Sequence, residues 1–210
     1  MSRPHEDLEH HTLTDHRAGG PAIALASASW WAIEVAHVAA GRAAAAVAAY
    51  ETLIEKARTS AAAGREAVVL RSHDHRRVIV LLRLDGHEAF RHLRAAWDDH
   101  HLLAQRHAVA ESRSLALYRL AVSGDPTIDP ASSDALAFEH IRSGAEPAAG
   151  ISAPLAAAPG FRSAFVFHTD DDGGSAIVYR FAHVEQIEAF RKSPDLSVVH
   201  AVRTFDLRTG

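Results

Sequence analysis

The sequence predicts an α+β fold made of two tandem β-α-β-β-α-β repeats, and three observations carry that expectation. The first is an internal repeat. Ala67-Val68-Val69-Leu70-Arg71-Ser72-His73-Asp74, then Val78 to Leu84, then Glu88-Ala89-Phe90-Arg91 returns as Ala164-Phe165-Val166-Phe167-His168-Thr169-Asp170-Asp171, then Ala176 to Phe181, then Glu188-Ala189-Phe190-Arg191. A strand, a turn, a strand and a helix with the same four residues, met twice in one chain, mark a duplicated unit. The second is the strand pattern: apolar residues fill both parities of Val68–Leu70, Val78–Leu82 and Phe165–Phe167, so both faces of each sheet require burial. The third is the order of elements, which in each half is the ferredoxin-like one. A lone four-stranded sheet with helices on one side leaves an apolar face open, and packing copy against copy, sheet to sheet within one chain, covers it.

The elements follow in order. Residues 1–20 carry His5, His10, His11 and His16 among acidic residues, a composition that cannot repay ordering, and they read as a disordered tail outside the fold. A first ferredoxin-like domain is expected over 21–124. Trp30 to Val38 reads as its first strand, although its apolar pattern alone does not separate a strand from a buried helix, and Gly41 divides it from an alanine-rich helix from Arg42 to about Ala62. Val47, Tyr50, Ile54 and Ala57 form that helix's apolar stripe. Strands at 67–73 and 77–84 flank the short turn His73-Asp74-His75-Arg76. Asp85 with Glu88 three residues on is a capping-box signal for a second helix bearing Phe90, Leu93 and Trp97 on one face. Leu115 to Val122 alternates as a fourth strand.

Gly124-Asp125-Pro126 through Ser133 has turn-rich composition, giving a linker over 125–134 and a second ferredoxin-like domain over 135–210. Its first strand is Ala135 to Ile141, which aligns Glu139 with Glu34. Its first helix, about Ile151 to Ala158, is short among Pro147, Pro154 and Pro159. Strands at 161–169 and 175–182 flank the hairpin signal Asp170-Asp171-Asp172-Gly173-Gly174. A helix at 184–192 stops at Ser193-Pro194, and Val199 to Leu207 closes the unit.

Composition narrows the function. The chain has 210 residues, 48% of them hydrophobic, enough for a packed core. A net charge of −4 with no basic block argues against nucleic acid as a partner. The absence of cysteine removes disulfides, thiolate catalysis and cysteine-ligated metal sites. No apolar run reaches the roughly 18 residues needed to cross a bilayer, and the N-terminal stretch lacks a signal core. A soluble cytoplasmic protein without membrane contact, monomer or homodimer, is the expectation.

The repeat order, the segment Pro159-Gly160-Phe161-Arg162-Ser163-Ala164 entering a strand, and the Glu-Ala-Phe helices together resemble the dimeric α+β barrel superfamily, in particular antibiotic-biosynthesis-monooxygenase-like proteins, over about residues 30–208. The resemblance implies two sheets packed face to face, ordinarily from two chains. Here one chain supplies both, as an intramolecular dimeric α+β barrel.

No phosphate-binding loop, G-x-S-x-G elbow or H-E-x-x-H occurs, so chemistry falls to histidine, arginine, carboxylates and aromatics. His37, His140 and His168 sit on strand-like apolar segments, where a desolvated imidazole can act as a base near neutral pH. His92 on the second helix joins them as a candidate catalytic residue, and a carboxylate of raised pKa, such as Glu34 or Glu139, stands behind them. Trp97, with His100 or His101 one turn on, together with Arg71, Tyr118 and Arg180, are candidates to orient an anionic or phenolic substrate. His73-Asp74-His75 has metal-compatible alternate spacing, yet no distant ligands accompany it and a polar turn explains it better.

What the resemblance implies for activity is a monooxygenase that needs no added cofactor and oxidises a flat aromatic, polyketide-type intermediate to a quinone with molecular oxygen. The alternatives are a polyketide cyclase or isomerase on the same fold, a haem-binding barrel with a helix or strand histidine as ligand, and a non-enzymatic binding or accessory barrel.

Overall fold

The structure, a computed structural model, describes residues 19–58, 65–98, 108–141, 157–169, 174–191 and 195–207. Repeat one runs β2 (Trp30–His37), α1 (Ala43–Arg58), β3 (Glu66–Ser72), β4 (Arg77–Leu84), α2 (His87–Trp97) and β5 (Ser112–Gly124). Repeat two runs β7 (Ala135–Ile141), β8 (Phe161–His168), β9 (Ser175–Phe181), α3 (Val184–Phe190) and β10 (Ser197–Asp206). A small ribbon of β1 (Ile23–Ala24) and β6 (Thr127–Ile128) stands apart from both.

The eight long strands form one closed barrel in the order β10-β3-β4-β2-β5-β8-β9-β7, with β7 returning to β10. Within each repeat the order is second, third, first, fourth strand, as the ferredoxin-like unit demands. Between repeats the fourth strand of each pairs with the second strand of the other, β5 with β8 and β10 with β3. All these pairings are antiparallel. The two sheets therefore not only face each other but share both edges.

Strand parity sorts the core into three layers. Trp31, Ile33, Val68, Leu70, Ile79, Leu81, Phe138, Phe165, Phe167 and Val178 point into the barrel. Each such large side chain contributes roughly 2–3 kcal/mol of transfer free energy when removed from water. The opposite parity of β2, β3 and β4 packs under α1 and α2, where Val47, Tyr50 and Ile54 of the expected stripe are buried with Leu93 and Trp97. The side chain of Ala57 lies outside the described residues. The opposite parity of β7, β8 and β9 packs under α3 through Tyr179, Phe181 and Ile187. A bulge between Ala201 and Arg203 turns β10 so that Val202 and Phe205 join the layer beneath α1.

Several expectations change. The capping box at Asp85 is absent: the N-cap of α2 is Gly86 at φ 132°, with no side-chain cap, and Asp85 pairs with Arg65 at 3.1 Å instead. β5 is 13 residues long because it must pair with β2 over Ser112–Arg119 and then with β8 over Arg119–Gly124. The stretch read as linker contains β6, and residues 19–20, read as the end of the tail, are tied to β10 by Gly19 N–H to Val202 O at 3.1 Å. Residues 157–160, where a helix was expected to end, form turns, and the rest of that helix, 151–156, lies outside the described residues, as do 1–18. No helix among the described residues is long and apolar enough to cross a membrane.

The β1–β6 ribbon closes one end of the barrel, with Ile23, Leu25 and Ile128 in the interior core. Arg180 holds it there. Its guanidinium donates to the Thr127 carbonyl, lies 2.6 Å from Asp125 and reaches Asp134 at 2.9 Å, where both side chains are 9% exposed. Removing one partner of so buried a pair leaves the other charge uncompensated. Arg180→Met is expected to lower unfolding free energy by about 3 kcal/mol in denaturant titrations; a change under about 0.5 kcal/mol, the scale of a surface substitution, would refute the staple.

Candidate functional site

The other end of the barrel is open. There the inward parity of β2 and β7 ends in His37 and His140, and a cavity of about 320 Å³ forms, floored by Val35 and Phe138 and rimmed by His37, His140, Arg77 and Ser114. The volume falls at the lower end of the range for small-molecule sites. His140 Nε2 stands 3.4 Å from the hydroxyl of Tyr118, itself buried in the barrel wall. Arg77 is held by Nη1 donating to Ser197 Oγ at 2.6 Å and to the Asp195 carbonyl at 3.3 Å. A phenol entering this mouth would meet imidazole bases, a positioned guanidinium and an apolar floor. His37 is exposed at the rim rather than desolvated, because its strand ends there.

A second cavity, of about 520 Å³, lies outside the barrel between the end of α2 and the start of β5, lined by Arg94, Asp98, Glu111 and Arg113 among others. Arg113 borders both cavities and stands 3.8 Å from Glu34. Glu34 is fully buried on the outward parity of β2 and accepts a hydrogen bond from Tyr50 of α1. Its counterpart in repeat two, Glu139, accepts one from Tyr179 at 2.7 Å. Burial first, and then the Glu139 carboxylate, push the Tyr179 phenol far above its ordinary range. The same carboxylate position thus takes its phenol from a helix in one repeat and from a strand in the other.

The remaining expected residues scatter. His92 is exposed on the solvent side of α2, so it is not in an apolar setting, whereas Trp97 is buried near Tyr50, with ring centroids 6.5 Å apart. His168 ends β8 on the outward parity, its Nδ1 3.4 Å from Ser175 Oγ. His100 and His101 lie outside the described residues. Arg180 serves the ribbon at the opposite end. His73-Asp74-His75 forms a turn in which Asp74 accepts from Ser72 Oγ at 2.5 Å and from Arg76 N–H at 3.0 Å. Among the described residues no group of three or more acidic, histidine or cysteine side chains is placed to hold a metal. Nor does any described histidine line the 520 Å³ cavity beside the helices. Arg77, Ser114 and Asp195 at the mouth escaped sequence reasoning, since only the register of β4, β5 and β10 brings them there.

Arg71 lies on the outer wall, opposite His200 in the β3–β10 register, with its Nη2 3.1 Å from His200 Nε2. Burial, with smaller repulsions from Arg71, His73 and His75, pushes the His200 imidazole down to about 4, so Nε2 accepts from the guanidinium.

Fold and mouth together define a single-chain dimeric α+β barrel with a cavity at one end. Among solved structures, an anthrone oxidase-like protein matches with a TM-score of 0.69 at 13% identity, over 89% of this chain and 97% of that one. A candidate monooxygenase of Fusobacterium nucleatum subsp. nucleatum matches with a TM-score of 0.54 at 8% identity, over 87% of this chain and 96% of that one. Another, of Lactobacillus acidophilus, matches with a TM-score of 0.52 at 9% identity, over 86% and 97%. Each is one chain matched nearly end to end, as a two-repeat chain would be; at these identities the likeness is one of fold. No family model and no curated protein matches the chain.

His200 links this outer wall to stability. Unfolded, the imidazole binds a proton near its ordinary 6.5; folded, only near 4. Between those values the unfolded chain holds more protons, so stability rises with pH through that window and is complete above it. His200→Gln, which keeps an acceptor for Arg71, is expected to flatten the dependence. Urea midpoints near pH 4.5 and 7.5 check this, and equal slopes in parent and variant would count against it.

Proposed function

We propose that this protein is a monooxygenase that uses no added cofactor, acting on a small electron-rich phenolic aromatic of the polyketide type at the open mouth of the barrel. The observation that supports this reading is the convergence of His37 and His140, one strand from each repeat, on a single cavity that also holds Arg77 and reaches the Tyr118 hydroxyl through His140. The neighbours bearing monooxygenase descriptions agree with the reaction class.

In the proposed reaction an imidazole takes the phenolic proton, and the ring anion, facing the Arg77 guanidinium, donates electrons to molecular oxygen. One oxygen atom becomes bonded to a ring carbon, and that carbon's hydrogen and the phenolic proton leave with the other oxygen atom as water, giving a quinone. Four electrons leave the ring and four reduce the oxygen, so no further reductant enters. The protein supplies proton transfer, orientation and anion stabilisation, and Val35 and Phe138 give the ring an apolar surface to pack on.

The test is oxygen uptake with a naphthol or a hydroxylated anthrone and with variants of each histidine. His140→Ala or His37→Ala is expected to lower kcat/KM by about 100-fold, the scale of losing a general base, with native circular dichroism. His92→Ala and His168→Ala are expected to stay within about twofold of the parent, since neither lines the mouth. If the His37 and His140 variants both match the parent, the imidazole mechanism fails. Glu34, beside Arg113 at the larger cavity, then becomes the base to replace. Ring closure without oxygen uptake would mark a cyclase instead.

A further inference from the structure

Two arginines among the described residues are buried, and they are treated differently. Arg180 has two carboxylates within 3 Å. Arg71, 8% exposed, has none: its one side-chain hydrogen bond is to His200, and its Nε is buried without a partner. Burial alone lowers its affinity for a proton, with no acidic group offsetting the cost. A buried cation without a counter-charge is costly unless something outside the chain supplies it.

Its surroundings add donors. The His73 ring lies 5.1 Å from that of His200, and the His73 backbone N–H extends the β3–β10 ladder to Val198 O at 2.9 Å. His200, accepting at Nε2 from Arg71, carries its ring proton on Nδ1 and can donate it. The charged groups acting on this pair are Arg71 and His75 on the positive side. On the negative side stand Asp74, already engaged by Ser72 and Arg76, and Glu188 of α3, which acts on His73 alone. α1 packs on β3 and β4 while α3 packs on β7 and β9, so this cluster occupies the seam between the two helix layers. His73 is exposed and His200 half-buried, so the seam is reachable from solvent.

We propose that Arg71, His200 and His73 form a binding site for a small oxyanion, a carboxylate or phosphate group, on the outer wall of the barrel where repeat two joins repeat one. The site lies on the opposite side of the wall from the mouth cavity, and it stands whether or not the proposed reaction does. A guanidinium that no carboxylate neutralises, beside two imidazoles, is the charge and donor set that planar or tetrahedral oxyanions seek.

The experiment follows the imidazole resonances of His73 and His200 by NMR near pH 7 while the full-length protein is titrated with sodium benzoate or sodium phosphate, with sodium chloride at matched ionic strength as control. Saturable shifts at both rings, with a dissociation constant of about 1 mM or below, are expected. Tighter benzoate than phosphate identifies a carboxylated small molecule as the source of the group, and the reverse a phosphorylated one; either supports the site. Arg71→Met is expected to weaken binding at least tenfold. Should that variant not fold, Arg71→Lys, which keeps the charge and loses the fork, is expected to weaken it several-fold. Shifts matched by chloride, or affinity unchanged in the folded Arg71 variants, would overturn the proposal.

Discussion

The structure depends on the hydrogen-bonding demand of four strand edges. A four-stranded ferredoxin-like sheet ends in two edges of unpaired N–H and C=O groups, and a chain with two such sheets carries four. This protein disposes of them by making the fourth strand of each repeat serve both sheets. β5 leaves its own repeat at Arg119 and continues along β8, and β10 leaves β7 at Val199 and continues along β3. Closure pairs every edge, and it converts two half-exposed sheets into a wall with one inside and one outside.

Once the wall is closed, the polar groups have few places to go. The inside is filled by large apolar side chains, so ionisable groups collect at the open mouth, at the ribbon-plugged end and along the seams where helix layers stop. Arg180 at the plugged end is neutralised within the fold, whereas Arg71 at the seam is not. Beneath the helices, the buried carboxylates Glu34 and Glu139 are satisfied by phenols. These phenols come from unlike elements, so the two repeats meet one chemical requirement, the solvation of a buried carboxylate, by different means.

The two cavities follow from the same geometry. One sits inside the wall where the strands of both repeats end. The other sits outside it where α2 gives way to β5. Arg113 borders both because its strand forms the partition between them, so a change in charge at that position is felt on either side. The mouth is the one to which both repeats contribute, through β2, β4 and β5 on one side and β7 on the other.

Most of the architecture was legible in the chain. The duplicated strand-turn-strand-helix segment, the double parity of Val78–Leu82 and the turn residues around Asp74 located nearly every strand to within a few residues, because strand periodicity and turn chemistry are local. The boundary errors have a common cause: β5 and β10 run long, and β6 forms inside a turn-rich stretch, to satisfy partners far away in sequence. The site was only partly legible. Four histidines looked alike as letters, yet two reach the mouth, one faces solvent and one ends a strand on the outer face. Arg71 and Arg180 looked alike as strand arginines, yet Arg180 is matched by two carboxylates and Arg71 meets only an imidazole. What the sequence by itself determined was which residues alternate and repeat; what the tertiary structure decided was which side of the wall each side chain takes and which partner lies across it. Those depend on register between strands more than a hundred residues apart, and no local pattern encodes it.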